Sequence, residues 1–336
     1  MELNTASFPV FSQIADVMFE DSLETVRSAA RESGIFKVAP VGMNTGDSRT
    51  YTEQDIQEYA HDKGQSQQAR RARSVQGYSK TLTAYRVALD IGISWEMRHF
   101  NKYPEVIDML TNTGPQVVNR LDLDLSHRIT FASATSYTNL SGNVIDLTVG
   151  DGLALASTVH TLAGSSTTFR NILANNPRLS QSALEAMERQ AIENSYNHLG
   201  EKKVMTLDIL WTTDDPNTVN TAKKILQSTA DVDSSNAGVT NVNKAKYKHV
   251  ILPRIATTAS GAPDTTKRYY WGVAASRHST AHLDMWQEPT LKKPTGAGTS
   301  AEEFSTEDWN FGGVATYGIC WVTANWFHIS YGDGTA

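Results

Sequence analysis

The chain has 336 residues, 40% hydrophobic and 20% charged, enough to bury a real core and of a length that suggests about two domains. Its net charge of -6 excludes a protein whose whole surface grips nucleic acid, since that needs an excess of Lys and Arg, and leaves room for a local basic patch only. The single cysteine, Cys320, excludes an internal disulfide and has no second thiol at metal-binding spacing, so it reads as buried and inert.

The start MELNTASFPVF has no basic segment followed by an apolar core, and no apolar run of about 18 residues follows anywhere, so neither secretion nor membrane spanning is indicated and synthesis in the cytosol is expected. Residues 8–33 place Phe11, Ile14, Ala15, Met18, Phe19, Leu23 and Val26 on one stripe opposite Asp16, Glu20, Asp21, Glu24 and Arg27, which predicts an amphipathic helix. The stripe must be covered, either by the chain's own domain or by a neighbouring chain.

Tyr85, Val87, Leu89, Ile91, Ile93 and Trp95 alternate with Arg86, Ala88, Asp90, Gly92, Ser94 and Glu96, a period-two strand. At about 3.3 Å per residue it would run roughly 40 Å, about twice the common length, and 74–83 before it is also compatible with extended chain. Its expected partner is 35–41, with Pro40 marking an edge position; the polar, turn-rich stretch 44–73 between them would form the tip of a long hairpin. Lys63, Arg70, Arg71, Arg73 and Lys80 make that region the one dense basic cluster.

A helical stretch through Tyr103, Val106, Ile107 and Leu110 meets Gly114 and Pro115, and the pair predicts a break or kink before a second helix from Pro115 to about Ala134. The clearest boundary signals lie between Arg178 and Ser228. Ser180 caps a helix carrying Leu184, Met187 and Ala191, with Leu179 stapled onto Leu184 and Gly200 as the stop. VMTLDILW, 204–211, reads as a central strand covered on both faces. Asp215 and Pro216 then open a second helix that turns Val219, Ala222, Ile225 and Leu226 inward. Residues 229–243 read as a loop, 246–255 and 267–275 as strands, 291–304 as a Pro-Gly-Thr loop, and 309–331 as strands that return to the first domain.

These segments, in this order, resemble the major capsid protein of tailed bacteriophages, the Hong Kong 97-like fold. Asp151, Gly152, Ser157, His160, Asn171, Leu179, Ser180, Leu184, Glu185, Pro253 and Trp271 carry the resemblance over roughly half the chain. It implies an α+β fold with an N-terminal arm at 1–33, an extended loop at 34–96, a peripheral domain with a spine helix at 97–148 and 304–336, and an inserted axial domain at 149–303. It also implies a non-enzymatic subunit that assembles into hexamers and pentamers in the host cytoplasm. The resulting virion shell would be icosahedral or prolate and hold double-stranded DNA by confinement; a separate scaffold, a portal and decoration proteins are further possible partners. No cofactor is implied. With Met1 so close to the arm, no room is expected for a removable N-terminal scaffolding region.

The candidate contacts between subunits are Lys63, Arg70, Arg71, Arg73 and Lys80 on the loop and Phe11 and Met18 on the arm. For the basic tip, carboxylates of a neighbouring subunit are favoured over DNA or mere solvation, because charge-assisted bonds to an acidic copy would set register. The rival reading is a two-domain α/β metal-dependent hydrolase built on His278 and His282, whose spacing would place both rings on one face of a helix. A Ser at 279, where a zinc protease carries Glu, and the lack of a third ligand weaken it. Gly296, Gly298 and Ala301 mimic a dinucleotide fingerprint without the strand that would feed it, and Asp122, Asp124 and Asp214 read as surface groups or caps.

Overall fold

A computed structural model describes residues 7–42, 44–55, 58–72, 75–100, 102–230, 240–294, 296 and 305–333. Helix α1 (Phe8–Thr25) starts with Pro9 in its first turn, where the missing amide proton costs nothing. Its stripe is covered by the chain itself: Phe8 and Phe11 pack edge-on against Trp309 and Phe311, beside Ile93, Val106 and Leu110. Burying each phenylalanine stabilises this docking by about 1.5–3 kcal/mol. A single turn, α2 (Ala29–Glu32), capped by Ser28, leads into strand β1 (Phe36–Pro40).

The expected pairing of β1 with the strand at 85–95 does not occur. The hairpin is formed instead by β2 (Ser48–Asp55) and β3 (Val75–Thr83), antiparallel with Ser48 opposite Thr83. After Ala84 the chain continues as β4 (Tyr85–Ile93), and Ser94 caps the short helix α3 (Trp95–His99). Extended chain thus runs from 75 to 93 with one interruption, and its two halves serve two different sheets. The reason lies in the partners: β1 is taken parallel by β12 (Ala281–Lys292), and β13 (Trp309–Trp321) fills the space between β12 and β4. The four-stranded sheet therefore has the order β1-β12-β13-β4.

Across its face lies α4 (Tyr103–Thr130), unbroken through Pro115. The expected break fails because Gly114 serves a different purpose: a Cβ there would collide with the Ser22 hydroxyl of α1, so glycine lets the two helices touch. Packing of Leu110 before the proline and Val117, Leu121 and Leu125 after it holds the helix through a residue that would otherwise open it.

After two small hairpins, β5 (Ser136–Thr138) with β6 (Val144–Asp146) and β7 (His160–Leu162) with β8 (Ser165–Phe169), comes α5 (Gln181–Glu193). The Ser180 hydroxyl accepts from the Ala183 amide as its cap. Strand β9 covers only Ile209–Thr212, shorter than the expected 204–211, because its neighbours β10 (Lys248–Ile251) and β11 (Trp271–Ala274) offer four partners each; Val204 is 85% exposed. It is nonetheless internal and buried at every position. Helix α6 (Pro216–Gln227) begins at the Asp215 cap and buries Ala222, Ile225 and Leu226 with Leu184 and Met187 of α5. The last strand, β14 (Phe327–Ser330), pairs with β11 and completes a second sheet, β10-β9-β11-β14, so only β13 of the two C-terminal strands returns to the first sheet. Leu121, Leu125 and Ile129 of α4 share one buried cluster with Trp211, Trp321, Trp326 and Phe327, which joins the two sheets. No helix among the described residues is long and apolar enough to cross a membrane.

Candidate functional site

The hairpin is rooted by chemistry that its sequence did not advertise. Asp284 of β12 is fully buried, and both its oxygens lie at hydrogen-bonding distance, 2.8 and 3.0 Å, from the Tyr51 hydroxyl that donates to it; Arg49 pairs with it at 3.3 Å. Burial first, and then the bond to Asp284, hold the Tyr51 phenol well above its ordinary value. The Tyr51 ring stacks on His282 at 3.7 Å, and burial, reinforced by Lys37 and Arg49, pushes that imidazole down to about 4. Trp286 donates to the Gly46 carbonyl at 2.7 Å and shares an apolar patch with Leu82 and Cys320, whose thiol burial pushes up to about 12. The cysteine is unreactive for that reason.

Further out, the hairpin rests on the chain's own body. Lys80 bonds Asp146 at 2.5 Å and the Thr148 hydroxyl at 2.6 Å, Tyr78 meets Thr161 at 2.8 Å, and Glu53 lies 3.4 Å from His198. Gly77 is required here, since a Cβ would stand 2.6 Å from the His198 ring and 2.7 Å from the Glu53 carbonyl. At the tip, Tyr59 donates to the Lys202 carbonyl at 2.7 Å, and Glu58 takes both His61 at 2.7 Å and Arg70 at 3.1 Å.

The candidate contact residues are thereby sorted. Lys63, Arg70 and Arg71 are exposed on the tip, and Lys63 and Arg71 form no ion pair among the described residues. Arg73 lies outside the described residues. Lys80 is committed to Asp146 within the chain. Phe11 is fully buried in the chain's own core, so it offers nothing to a neighbour in this conformation, and Met18 is half-buried.

His278 and His282 do not share a helix. His278 ends a 3-10 turn and His282 sits in β12 against Tyr51, so the spacing that would align two rings on a helix has no such effect here. Among the described residues no group of three His, Cys, Asp or Glu side chains could hold a metal. Of the fingerprint mimic, Gly296 is a bend residue, while Gly298 and Ala301 lie outside the described residues.

Two of the acids read as surface groups or caps, Asp122 and Asp124, are buried. Asp124 accepts from Tyr317 at 2.7 Å and Arg120 at 3.1 Å; burial raises its carboxyl above the ordinary range against the pull of Arg120. Asp122 takes the Ser28 hydroxyl at 2.7 Å, the Ala30 amide at 2.9 Å and Arg254 at 3.0 Å, tying α2 to α4. Only their helical spacing beside apolar Leu121, Leu123 and Leu125 could have hinted at this.

Five of the residues that carried the family resemblance, Asp151, Gly152, Ser157, His160 and Asn171, lie in one network. Asp151 bonds His160 at 2.8 Å; burial pushes its carboxyl up, but the bonds from His160 and from the Leu153 and Thr161 amides outweigh that and leave it below its usual range. Gly152, at φ +80°, makes the turn, and buried Asn171 accepts from the Ser157 amide and donates to the Leu155 carbonyl at 2.7 Å. These bonds tie the stretch from Asp151 to His160 to Asn171.

No protein-family model and no curated protein matches the sequence. The three-dimensional structure does have counterparts. A structure from Gordonia phage Cozz superposes with a TM-score of 0.52 at 12% identity, over 90% of this chain and 85% of that one. The mature capsid of bacteriophage PhiM1 gives 0.52 at 11% identity, over 90% and 86%. The α+β capsid fold expected from the sequence is the fold observed.

Proposed function

We propose, from this shared fold as premise, that the chain is the major capsid protein of a tailed bacteriophage, a structural subunit that assembles with copies of itself into a closed shell around double-stranded DNA. One observation carries the reading: nine-tenths of the chain follows a capsid fold, with a hairpin whose polar tip cannot form a core of its own. The acidic chain fits confinement of DNA better than adhesion to it. We infer hexamers and pentamers as building units, a virion location with assembly in the host cytoplasm, and the exposed tip around Lys63, Arg70 and Arg71, together with Arg73, as a contact between subunits. Scaffold, portal and decoration proteins remain candidate partners.

For the domain division, sheet pairing supports assigning 281–292 to the peripheral part with β1, β4 and β13, and the final strand to the axial part. We keep as part of the proposal the arm at 1–33, the spine region at 97–148 and the axial segment from 149, with the extended loop at 34–96 reduced by β1 and β4. The hydrolase reading gains no support, because its two histidines serve separate elements.

Electron microscopy and sedimentation of the purified chain test the proposal. Closed particles without stoichiometric metal are expected; a dimer or tetramer as the largest species, or one metal ion per chain, would overturn it.

A further inference from the structure

Strand β4 is the open end of the four-stranded sheet: β13 occupies one side and no described strand pairs with the other. Such an edge presents a row of unpaired amides and carbonyls and is normally blunted by shortness, proline or a bulge. The far edge of the same sheet obeys this, since β1 has five residues and ends in Pro40. β4 does not: it has nine residues, no proline, and an uninterrupted register from Tyr85 to Ile93.

Its charges are placed in an unusual way. Arg86 and Asp90 are exposed on one face, two residues either side of exposed Ala88, and neither makes an ion pair among the described residues. The Asp90 carboxylate lies across Gly312 of β13, where any Cβ would collide with it. On the opposite face Leu89 is 41% exposed beside a groove of about 560 Å³ lined by Val87, Gln116, Arg120 and Leu140.

We propose that β4 pairs with β4 of a second copy of this chain, antiparallel about a two-fold axis through Ala88. In that register Arg86 of each copy faces Asp90 of the other, twice over, while Val87 faces Leu89 and Tyr85 faces Ile91. Centres at 86 or 90 would set like charges opposite each other, and centres at 87 or 89 would leave both charges unmatched. A parallel in-register pair would oppose Arg86 to Arg86. The charge pattern therefore selects one direction and one register, and an isologous contact of this kind joins two copies into one continuous sheet. The half-buried Val87 and the exposed Leu89 are covered by their counterparts beside the groove. The pairing rests on the shell reading for its supply of two-fold-related copies.

The test uses full-length chain carrying Ala88→Cys, with Cys320 retained because it is buried. Opposed residues in an antiparallel pair stand about 4.5–5.5 Å apart between Cα atoms, within disulfide reach, whereas Arg86 would lie roughly four residues out of step with its own copy. Mild copper-phenanthroline oxidation of assembled particles should cross-link Ala88→Cys subunits into dimers at least about tenfold more than Arg86→Cys subunits. In the Ala88→Cys background, Arg86→Glu or Asp90→Arg alone should lower the yield severalfold, and the two together should restore it, as reciprocal opposite charges require. Particles that form normally while Ala88→Cys cross-links no better than Arg86→Cys would overturn the pairing and leave the shell reading intact. Cross-linked dimers in a preparation without particles would support the pairing and overturn the shell reading. Single charge reversals that are not rescued by the double reversal would overturn the proposed register.

Discussion

Replacing Tyr51 by Phe removes one hydroxyl and leaves the ring on His282, which isolates the hairpin's polar anchor from its packing. Asp284 is fully buried, and its hydrogen-bond partners are the Tyr51 hydroxyl at 2.8 and 3.0 Å and the Arg49 guanidinium at 3.3 Å. Losing a hydrogen bond to a charged group costs about 1.5–3 kcal/mol, and here the carboxylate keeps only the longer contact. Because about 1.4 kcal/mol is a factor of ten, opening of the hairpin root should become roughly 10- to 100-fold more frequent. The stack of ring 51 on ring 282 at 3.7 Å remains, so the loss is confined to the polar term. Amide hydrogen exchange on the unassembled subunit reads this directly: 48–52 and 80–83 should exchange faster by that factor, while β9 and β11 in the other sheet stay unchanged. Exchange at the root within threefold of the parent chain would refute the assignment of Asp284 as the anchor.

Leu210→Asp, which places an unpaired charge at a fully buried position of β9, should prevent soluble folding; soluble yield and circular dichroism of the variant check it. Gly77→Ala should lift the hairpin from His198 and cost about 1–3 kcal/mol of subunit stability by urea unfolding, since neither the ring nor the Glu53 carbonyl has room for a methyl group. Changing Arg70, Arg71 and Arg73 together to Ala should leave subunit unfolding nearly unchanged but impair shell formation without DNA, and normal empty shells would remove the tip from the list of contacts. Burial holds His127, His282 and His328 at about 4 in the fold, so between pH 6.5 and 4 the unfolded chain binds protons that the folded chain refuses. The stability contributed by these rings is full above pH 6.5 and falls on acidification, by about 1–2 kcal/mol at pH 5 for each of His127 and His328 and by less for the part-exposed, solvent-screened His282, and His328→Leu should flatten the dependence of urea midpoints between pH 7 and 5.

Local chemistry was enough to place α5 and α6, because Ser180 and Asp215 satisfy amides three residues away and the apolar spacing that follows needs no distant partner to be read. It was enough, too, for the alternation of Tyr85 to Ile93 and for the order of motifs that pointed to a capsid fold. Pairing was a different matter. Whether β4 joins β1 or β13 depends on β12 and β13, some two hundred residues later in the chain, and nothing near Tyr85 encodes that choice. Pro115 carries a local signal for a break, but α1 and the sheet hold α4 continuous through it, with Gly114 making room for Ser22. The hairpin's anchor was hidden for the same reason: Asp284 is an ordinary acid in sequence and becomes a buried acceptor only when Tyr51 and Arg49, more than two hundred residues away, are folded over it.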